Sequence, residues 1–234
     1  MAHFLLVHGA SHGAWCWSKL LPHLEAAGHT ARAIDLPSHG DNPTAPETVT
    51  MADYVAACVG ALEPETILVG HSLGGLTITL CAAQSPAQVR SLVYLCAFVP
   101  PSGQAFAEIR KSAITPDLQK IVSIDRERGV STVDPRQAGP VFYSDCSAED
   151  IAFATVRLSP QPIGLLSEVL EFTPPSVARH YIRCTRDRTV DPAYQNAVSA
   201  DWPEGSVHEM QSGHSPFFSH PAKLAEILGK IATT

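Results

Sequence analysis

Residues 66–74, TILVGHSLG, carry the strongest structural signal in this chain of 234 residues. An apolar run leads directly to Ser72, with Gly70 and Gly74 two positions to either side of it. The run predicts a buried strand, and residues 76–83 (LTITLCAA) predict a helix after it. A serine at so sharp a strand-to-helix turn takes strained backbone geometry, and the two glycines leave room for strand and helix to approach. Ser72 is therefore predicted to be an exposed nucleophile rather than an ordinary turn serine.

Short apolar runs alternate with helix-like segments along most of the chain. Strands are predicted near residues 2–8, 30–35, 66–71, 89–96, 178–184 and 205–211. Helices are predicted between them, at residues 17–27, 51–62, 73–84, 192–200 and 221–231. This alternation is typical of a parallel sheet with both faces covered. The predicted fold class is α/β, with a mostly parallel sheet of about six strands flanked by helices.

The alternation is interrupted by a long insertion between two proline pairs, at residues 100–101 and 174–175. The insertion has enough apolar residues of its own to form a small lid with an apolar underside. Its polar stretch, residues 125–139, is predicted to be the exposed tip. We therefore expect one domain overall, with a core formed by residues 1–99 and 176–234 and a cap formed by residues 100–175.

Composition limits the partners that this chain can have. A hydrophobic content of 45% suits one sizeable core, and the formal net charge is −7 with no basic run. Nucleic acid and anionic membrane are not expected partners, because both are bound through clustered Lys and Arg. No apolar run approaches the length of a membrane span, and the first residues lack the basic flank of a signal peptide. We expect a cytoplasmic protein that binds a neutral small molecule.

Neither a metal nor a disulfide framework is expected. The six cysteines are scattered without Cys-x-x-Cys spacing, and several fall inside predicted strands or helices, which favours reduced and mostly buried thiols. His8 and His12 have His-x-x-x-His spacing, but they fall on a predicted strand-end loop instead of a helix. No metal site is therefore predicted.

A serine nucleophile needs a histidine base, which is in turn oriented by a third group, usually a carboxylate. In sheets of the predicted type the chain order is Ser, acid, His, each on a loop that leaves the carboxyl end of a strand. His214 follows the strand predicted at 205–211. His208 falls within that strand and His220 at a helix start, so His214 is the favoured base.

The acid is predicted to be Asp187, which follows the strand predicted at 178–184. Asp191 is the competing residue, although it precedes Pro192 and would serve equally as the cap of the next helix. The other known position for the acid follows the strand at 89–96, where residues 97–99 (AFV) offer no carboxylate.

Acyl transfer also needs hydrogen-bond donors for the developing oxyanion. The backbone N–H of Leu73, directly after the nucleophile, is one predicted donor. The other is expected from the loop after the first strand, residues 8–11 (HGAS), where we choose the N–H of Ala10.

These residues resemble the α/β-hydrolase fold, and within it the branch of plant-type methylesterases and hydroxynitrile lyases. The matching segments span nearly the whole chain, with a cap that looks shortened: residues 8–15 (HGASHGAW), 24–29 (LEAAGH), 70–75 (GHSLGG), 146–150 (CSAED) and 184–187 (CTRD). The resemblance implies a catalytic triad of Ser72, Asp187 and His214 with oxyanion donors at Ala10 and Leu73, in agreement with the assignment from the residues.

The resemblance also poses a choice between two chemistries. Lyases of this branch use a threonine with a lysine beside the triad, or an asparagine in the first loop, whereas this sequence has Gly9 and Ser215 at those positions. The expected activity is therefore that of a serine carboxylesterase, which needs no cofactor. Its expected substrate is a small apolar ester, such as an aromatic acid methyl ester. A C–C lyase and a non-catalytic ligand receptor are the alternatives, and a homodimer is left open.

Overall fold

The computed structural model describes residues 1–234. Its strands are β1 (His3–Val7), β2 (Thr30–Ile34), β3 (Thr66–His71), β4 (Val89–Leu95), β5 (Gln104–Ala105), β6 (Val122–Asp125), β7 (Val130–Val133), β8 (Gln161–Pro162), β9 (Val169–Leu170), β10 (Ala178–Cys184) and β11 (Val207–Met210). Its α-helices are α1 (Leu21–Ala26), α2 (Met51–Val59), α3 (Gly74–Gln84), α4 (Phe106–Ala113), α5 (Pro116–Ile121), α6 (Pro135–Phe142), α7 (Ala148–Thr155), α8 (Pro192–Val198), α9 (Pro216–Ser219) and α10 (Pro221–Ile231). None of the helices is long and apolar enough to cross a membrane.

Six strands form one sheet in the order β11-β10-β4-β3-β1-β2, and every neighbouring pair is parallel. The prediction of an α/β fold built on a parallel sheet of about six strands is confirmed. The register sets Val7 beside Gly70 and His71 beside Leu95. The carboxyl ends of β1, β3 and β4 therefore meet at one edge of the sheet, where the loops after these strands come together.

Two apolar cores, one on each face, hold the sheet between its helices. Along β3, Ile67 and Val69 belong to one core and Leu68 to the other, so successive side chains alternate between the faces. Helices α1 and α10 pack on the first face, and α2 and α3 pack on the second. Strand β3 is buried along its whole length, which explains why its sequence is a continuous apolar run.

Most helices begin and end close to the predicted positions, and α10 has the predicted bounds. The first helix is shorter than predicted, because residues 14–17 form a separate 3-10 turn and α1 begins only at Leu21. Helix α2 ends at Val59, with Gly60 as its C-cap, instead of continuing to residue 62. Its start is fixed by a capping box between Thr50 and Asp53.

Residues 100–175 leave the main sheet and form smaller structures of their own. Strands β5 and β9 pair antiparallel near the two ends of this segment, and β6, β7 and β8 form a three-stranded antiparallel sheet. The expectation that residues 125–139 are an exposed tip is wrong for much of that stretch. Residues 126–128 and 135–137 are exposed, but Val130 and Ala138 are fully buried, because β7 pairs on both sides and α6 packs into the first core.

Candidate active site

Ser72 lies in the turn between β3 and α3, with a backbone φ of +52°. The expectation that it is exposed is wrong: only 6% of the residue is accessible, because it lines a cavity bordered by residues of the segment 100–175. Positive φ is a strained conformation for a residue with a Cβ atom, and it persists only where the surroundings enforce it. Here the Ser72 N–H donates to the carbonyl of Leu95 at 3.2 Å, and the Ser72 carbonyl accepts from the N–H of Phe98 at 3.0 Å. The turn after β3 is thereby fixed to the end of β4.

The two glycines around Ser72 are required by close backbone contacts. A Cβ atom on Gly70 would lie 2.8 Å from the carbonyl oxygen of Gly74. A Cβ on Gly74 would lie 2.7 Å from the carbonyl oxygen of His8, in the loop after β1. Side chains at these positions would force β3, α3 and the first loop apart, so the glycines fix the position of the serine between them.

His214 and Asp187 are brought together, although they are 27 positions apart in the sequence. Nδ1 of His214 donates to Oδ2 of Asp187 at 2.8 Å, and both side chains are almost completely inaccessible to solvent. The carboxylate also accepts from the N–H groups of Thr189 (2.7 Å) and Val190 (3.1 Å), and from Nε2 of Gln195 (3.0 Å). All four partners donate, so the orientation of the carboxylate is fixed and His214 is held in the tautomer that leaves Nε2 free to accept a proton.

The alternative residues for the base and the acid lie elsewhere. His208 is part of β11, and His220 is the N-cap residue of α10. Asp191 caps α8, where its Oδ1 accepts from the N–H of Ala193 at 2.8 Å. None of the three forms a hydrogen bond with His214 or Asp187, so of the candidates weighed from sequence only that pair meets.

Two residues that sequence reasoning did not single out contact the backbone carbonyl of His214. Nε2 of His71 donates to the backbone carbonyl of His214 at 2.8 Å, and burial lowers the pKa of His71 well below its usual value. The Sγ atom of Cys96 lies 3.5 Å from the same carbonyl. Neutral His71 and the Cys96 thiol therefore support the loop that carries the imidazole. The sequence feature that could have indicated a role for His71 is its position directly before Ser72 in the motif.

His71, Cys96 and His214 place one potential ligand atom each within 4.8 Å of one another. A metal site would require the thiolate form of Cys96, whereas burial raises the pKa of that thiol well above its usual value. Nδ1 of His214 is also already hydrogen-bonded to Asp187. These side chains are therefore better suited to holding His214 in place than to binding a metal ion.

The N–H groups of Ala10 and Leu73 form no hydrogen bond within the protein. Both residues line one cavity of about 330 Å³ together with Ser72 and His214. Two free backbone donors beside a serine and a histidine are the arrangement that stabilises an oxyanion. The sequence-predicted donors and the predicted nucleophile and base therefore border the same space.

The loop that carries Ala10 is held by a buried histidine. Nδ1 of His12 donates to the carbonyl of Ala10 at 2.8 Å, and its Nε2 accepts from the hydroxyl of Tyr143 at 2.9 Å. Burial lowers the pKa of His12 to about 4, so the ring is neutral near pH 7. His12 thus supports the loop after β1.

Gln161, from the segment 100–175, is a further buried polar residue at the cavity that the sequence did not reveal. Its Oε1 accepts from the N–H of Ser11 at 3.3 Å and is 3.1 Å from Nε2 of His39, while its Nε2 donates to the hydroxyl of Tyr54 at 3.2 Å. These contacts connect the segment to the loop after β1. They span more than a hundred residues of sequence, so no local pattern could have indicated them.

Aromatic and aliphatic side chains form most of the remaining cavity wall: Phe98, Phe106, Ile114, Leu118, Val122, Ile124, Val133, Phe142 and Leu166. All but Phe98 belong to the segment 100–175. A larger cavity, of about 560 Å³, lies where that segment leaves and rejoins the main sheet, and its lining includes neither Ser72 nor His214. The smaller cavity is therefore the candidate active site.

Comparison with known proteins agrees with this geometry. The Alpha/beta hydrolase family matches residues 4–227, so the chain belongs to that family. Methylesterase 7 of Arabidopsis thaliana is 33% identical, over 98% of this chain and 95% of its own length. The crystal structure of the Arabidopsis methylesterase MES16 has a TM-score of 0.86 at 27% identity and covers 100% of this chain and 99% of its own. A pyrethroid hydrolase from Sphingobium faniae has a TM-score of 0.88 at 26% identity, with coverages of 100% and 98%.

Within the family, the prediction of a carboxylic ester hydrolase of the serine hydrolase class, resembling the methylesterases, is confirmed.

Proposed function

We propose that this protein is a serine carboxylesterase that hydrolyses a small, largely apolar ester through an acyl-enzyme intermediate. The observation that supports this most directly is the buried hydrogen bond of 2.8 Å between His214 and Asp187, at a cavity that also contains Ser72. A histidine held in this way beside a strained serine is equipped to remove the hydroxyl proton.

In the proposed reaction, Oγ of Ser72 attacks the ester carbonyl carbon while Nε2 of His214 takes the hydroxyl proton. The N–H groups of Ala10 and Leu73 bind the resulting oxyanion, and Asp187 stabilises the imidazolium that forms. His214 then protonates the leaving alcohol, which completes the acyl-enzyme. A water molecule, deprotonated by His214, attacks the acyl carbonyl. The bond between Oγ of Ser72 and the acyl carbon then breaks, His214 returns the proton to Oγ, and the acid is released.

We propose that residues 100–175 serve as the cap that selects the ester. They supply most of the apolar cavity wall, including Phe106 and Phe142, and Gln161 attaches them to the first loop. An acyl or alcohol group of aromatic or branched aliphatic character would bury its surface against this wall. A methyl ester of an aromatic acid fits this description.

Position 9 favours hydrolysis over the C–C lyase chemistry of the same branch. A Cβ atom on Gly9 would lie 2.8 Å from the Cβ of Ser72 and 3.1 Å from the carbonyl oxygen of His71. A threonine or asparagine there would have to displace the nucleophile turn or the first loop. The chain therefore has no room for the first-loop side chain that a lyase of this branch uses.

A panel of p-nitrophenyl esters with acyl chains of graded length, together with one aromatic methyl ester, tests the proposal. We expect turnover by the wild-type protein and almost none by Ser72→Ala, with an unchanged circular dichroism spectrum. Equal turnover by the two proteins would contradict the role of Ser72. Release of aldehyde from mandelonitrile, without hydrolysis of any ester, would instead indicate a lyase.

A further inference from the structure

Arg110 is the only Lys, Arg, Asp or Glu residue that lines the candidate active-site cavity. It lies on α4 four residues after Phe106, which places these two side chains on one face of the helix, and Ile114 is the C-cap residue that follows α4. Phe106 and Ile114 line the same cavity. A half-buried cation therefore lies beside the apolar side chains of this cavity wall.

The Arg110 side chain has no partner within the protein. No carboxylate oxygen lies within 4.0 Å of it, its guanidinium donates no hydrogen bond, and it lies over no aromatic ring. Some other arginines of the chain have partners: Arg188 binds Asp117 in two hydrogen bonds, and Arg183 lies 3.6 Å from Glu209. Arginines without a partner also occur elsewhere, at Arg32, Arg90 and Arg126, but none of these lines the cavity. The donors of Arg110 thus remain available to a molecule in the cavity.

The rest of the protein does not provide a general attraction for anions. The formal net charge is −7, which repels an anionic substrate at long range. Selection of an anion would therefore have to come from a local cation, and Arg110 is the one at the cavity. A planar guanidinium fits a carboxylate best, because two parallel N–H groups can bind its two oxygens.

We propose that the substrate of this protein is an ester that carries a second, ionised carboxyl group, and that Arg110 binds that carboxylate. The proposal rests on the proposed esterase function and specifies its substrate class. The apolar wall would hold the spacer between the two ends, with the ester carbonyl at Ser72 and the carboxylate at Arg110. This differs from the neutral molecule expected from overall charge, because only the folded structure shows which charge faces the cavity.

The test compares matched pairs of methyl esters near neutral pH. One member of each pair is the monomethyl ester of succinic, glutaric, adipic or pimelic acid, and the other is the methyl ester of the monocarboxylic acid of equal chain length. At the best spacer length we expect kcat/KM to be higher for the carboxylate-bearing ester. Arg110→Met should lower the ratio of the two kcat/KM values by about 10-fold to 100-fold, the range expected for a hydrogen bond to a charged group. Arg110→Lys should retain part of the preference.

Lys111→Met is the matched control, because it removes one positive charge from the adjacent, exposed position of the same helix without touching the cavity. The ratio should be the same as in the wild type. A ratio that falls equally in Arg110→Met and Lys111→Met would overturn the proposal, since overall charge would then explain it. A wild-type ratio at or below unity for every spacer would overturn it too.

Hydrolysis of p-nitrophenyl acetate by the wild-type protein separates the two proposals. If it proceeds and the carboxylate preference is missing, only the inference about Arg110 fails. If no ester is hydrolysed, the proposed function itself fails. Should Arg110→Met not fold, inhibition of wild-type p-nitrophenyl acetate hydrolysis by 5-oxohexanoate and by 2-hexanone replaces it. These two methyl ketones have the same chain length, and only the first carries a carboxylate. Stronger inhibition by 5-oxohexanoate supports the carboxylate site, and equal inhibition overturns it.

Discussion

Replacing Asp187 with asparagine breaks the proposed relay without changing the size of the side chain. Oδ1 faces two backbone N–H groups, of Thr189 and Val190, whereas Oδ2 faces Nε2 of Gln195 and Nδ1 of His214. The new NH₂ group can only donate. Backbone donors cannot adapt to it, but the imidazole can change its tautomer, so the NH₂ group is expected in the Oδ2 position.

In that position the NH₂ group donates to Nδ1 of His214, and the ring proton moves to Nε2. The histidine then has no lone pair on the nitrogen that must accept the Ser72 proton. Loss of the correct tautomer is expected to lower kcat by about 10⁴-fold, or about 5 kcal/mol of barrier. Gln195 cannot adapt freely, because its Oε1 already accepts from the N–H of Cys184 at 2.8 Å. We therefore also expect a loss of about 2 kcal/mol in the free energy of unfolding.

The measurements are kcat/KM for p-nitrophenyl acetate and urea denaturation of the same preparations. Asp191→Asn is the matched control, because Asp191 only caps α8 and asparagine caps a helix about equally well. Its kcat/KM should equal that of the wild type. The reasoning would be refuted if Asp187→Asn kept nearly full activity, or if Asp191→Asn lost as much.

Three further expectations follow from the structure. Gly9→Ala should lower kcat/KM by about 10-fold with retained secondary structure, because the alanine Cβ would lie 2.8 Å from the Cβ of Ser72 and displace the nucleophile. An unchanged kcat/KM would show that the turn around Ser72 is not constrained by residue 9. The pKa of His12 is about 4 in the folded protein and near 6.5 unfolded, so the unfolded chain binds the proton first as pH falls. The free energy of unfolding should therefore drop by about 3 kcal/mol from this residue between pH 6.5 and pH 4, and urea titrations showing a constant or rising value would contradict that. Thr50→Ala should lower the free energy of unfolding by about 1 kcal/mol, since it removes the capping box with Asp53. An unaltered midpoint of urea denaturation would argue against this role of the cap.

The parts of the structure that sequence could predict are those set by local physics. The apolar run of β3 has no competing interpretation, and Pro221 marks the start of α10 because proline suits the first helical turn. Ser72, Asp187 and His214 could be nominated because each follows a strand of a parallel sheet, whose carboxyl ends meet at one edge. Topology thus brings Asp187 and His214 into hydrogen-bond contact and places Ser72 and His214 at one cavity, although they are far apart in sequence.

The residues that sequence could not predict depend on how the segment 100–175 packs. Gln161 reaches Ser11 across 150 positions, and Arg110 faces the cavity only because α4 presents one particular face to it. Val130 is buried inside a stretch that polar composition marked as exposed, because β7 pairs with both β6 and β8. Such contacts are set by tertiary packing, which overrides local composition.

The claim on which the mechanism depends is that His214 activates Ser72 as a nucleophile. A fluorophosphonate reacts covalently with a serine activated in this way, so it reports directly on that claim. We expect the intact mass of the folded protein to show one adduct, peptide mapping to place it on Ser72, and His214→Ala to abolish it. No adduct on the folded protein, or an adduct on another residue that persists in Ser72→Ala, would contradict the mechanism.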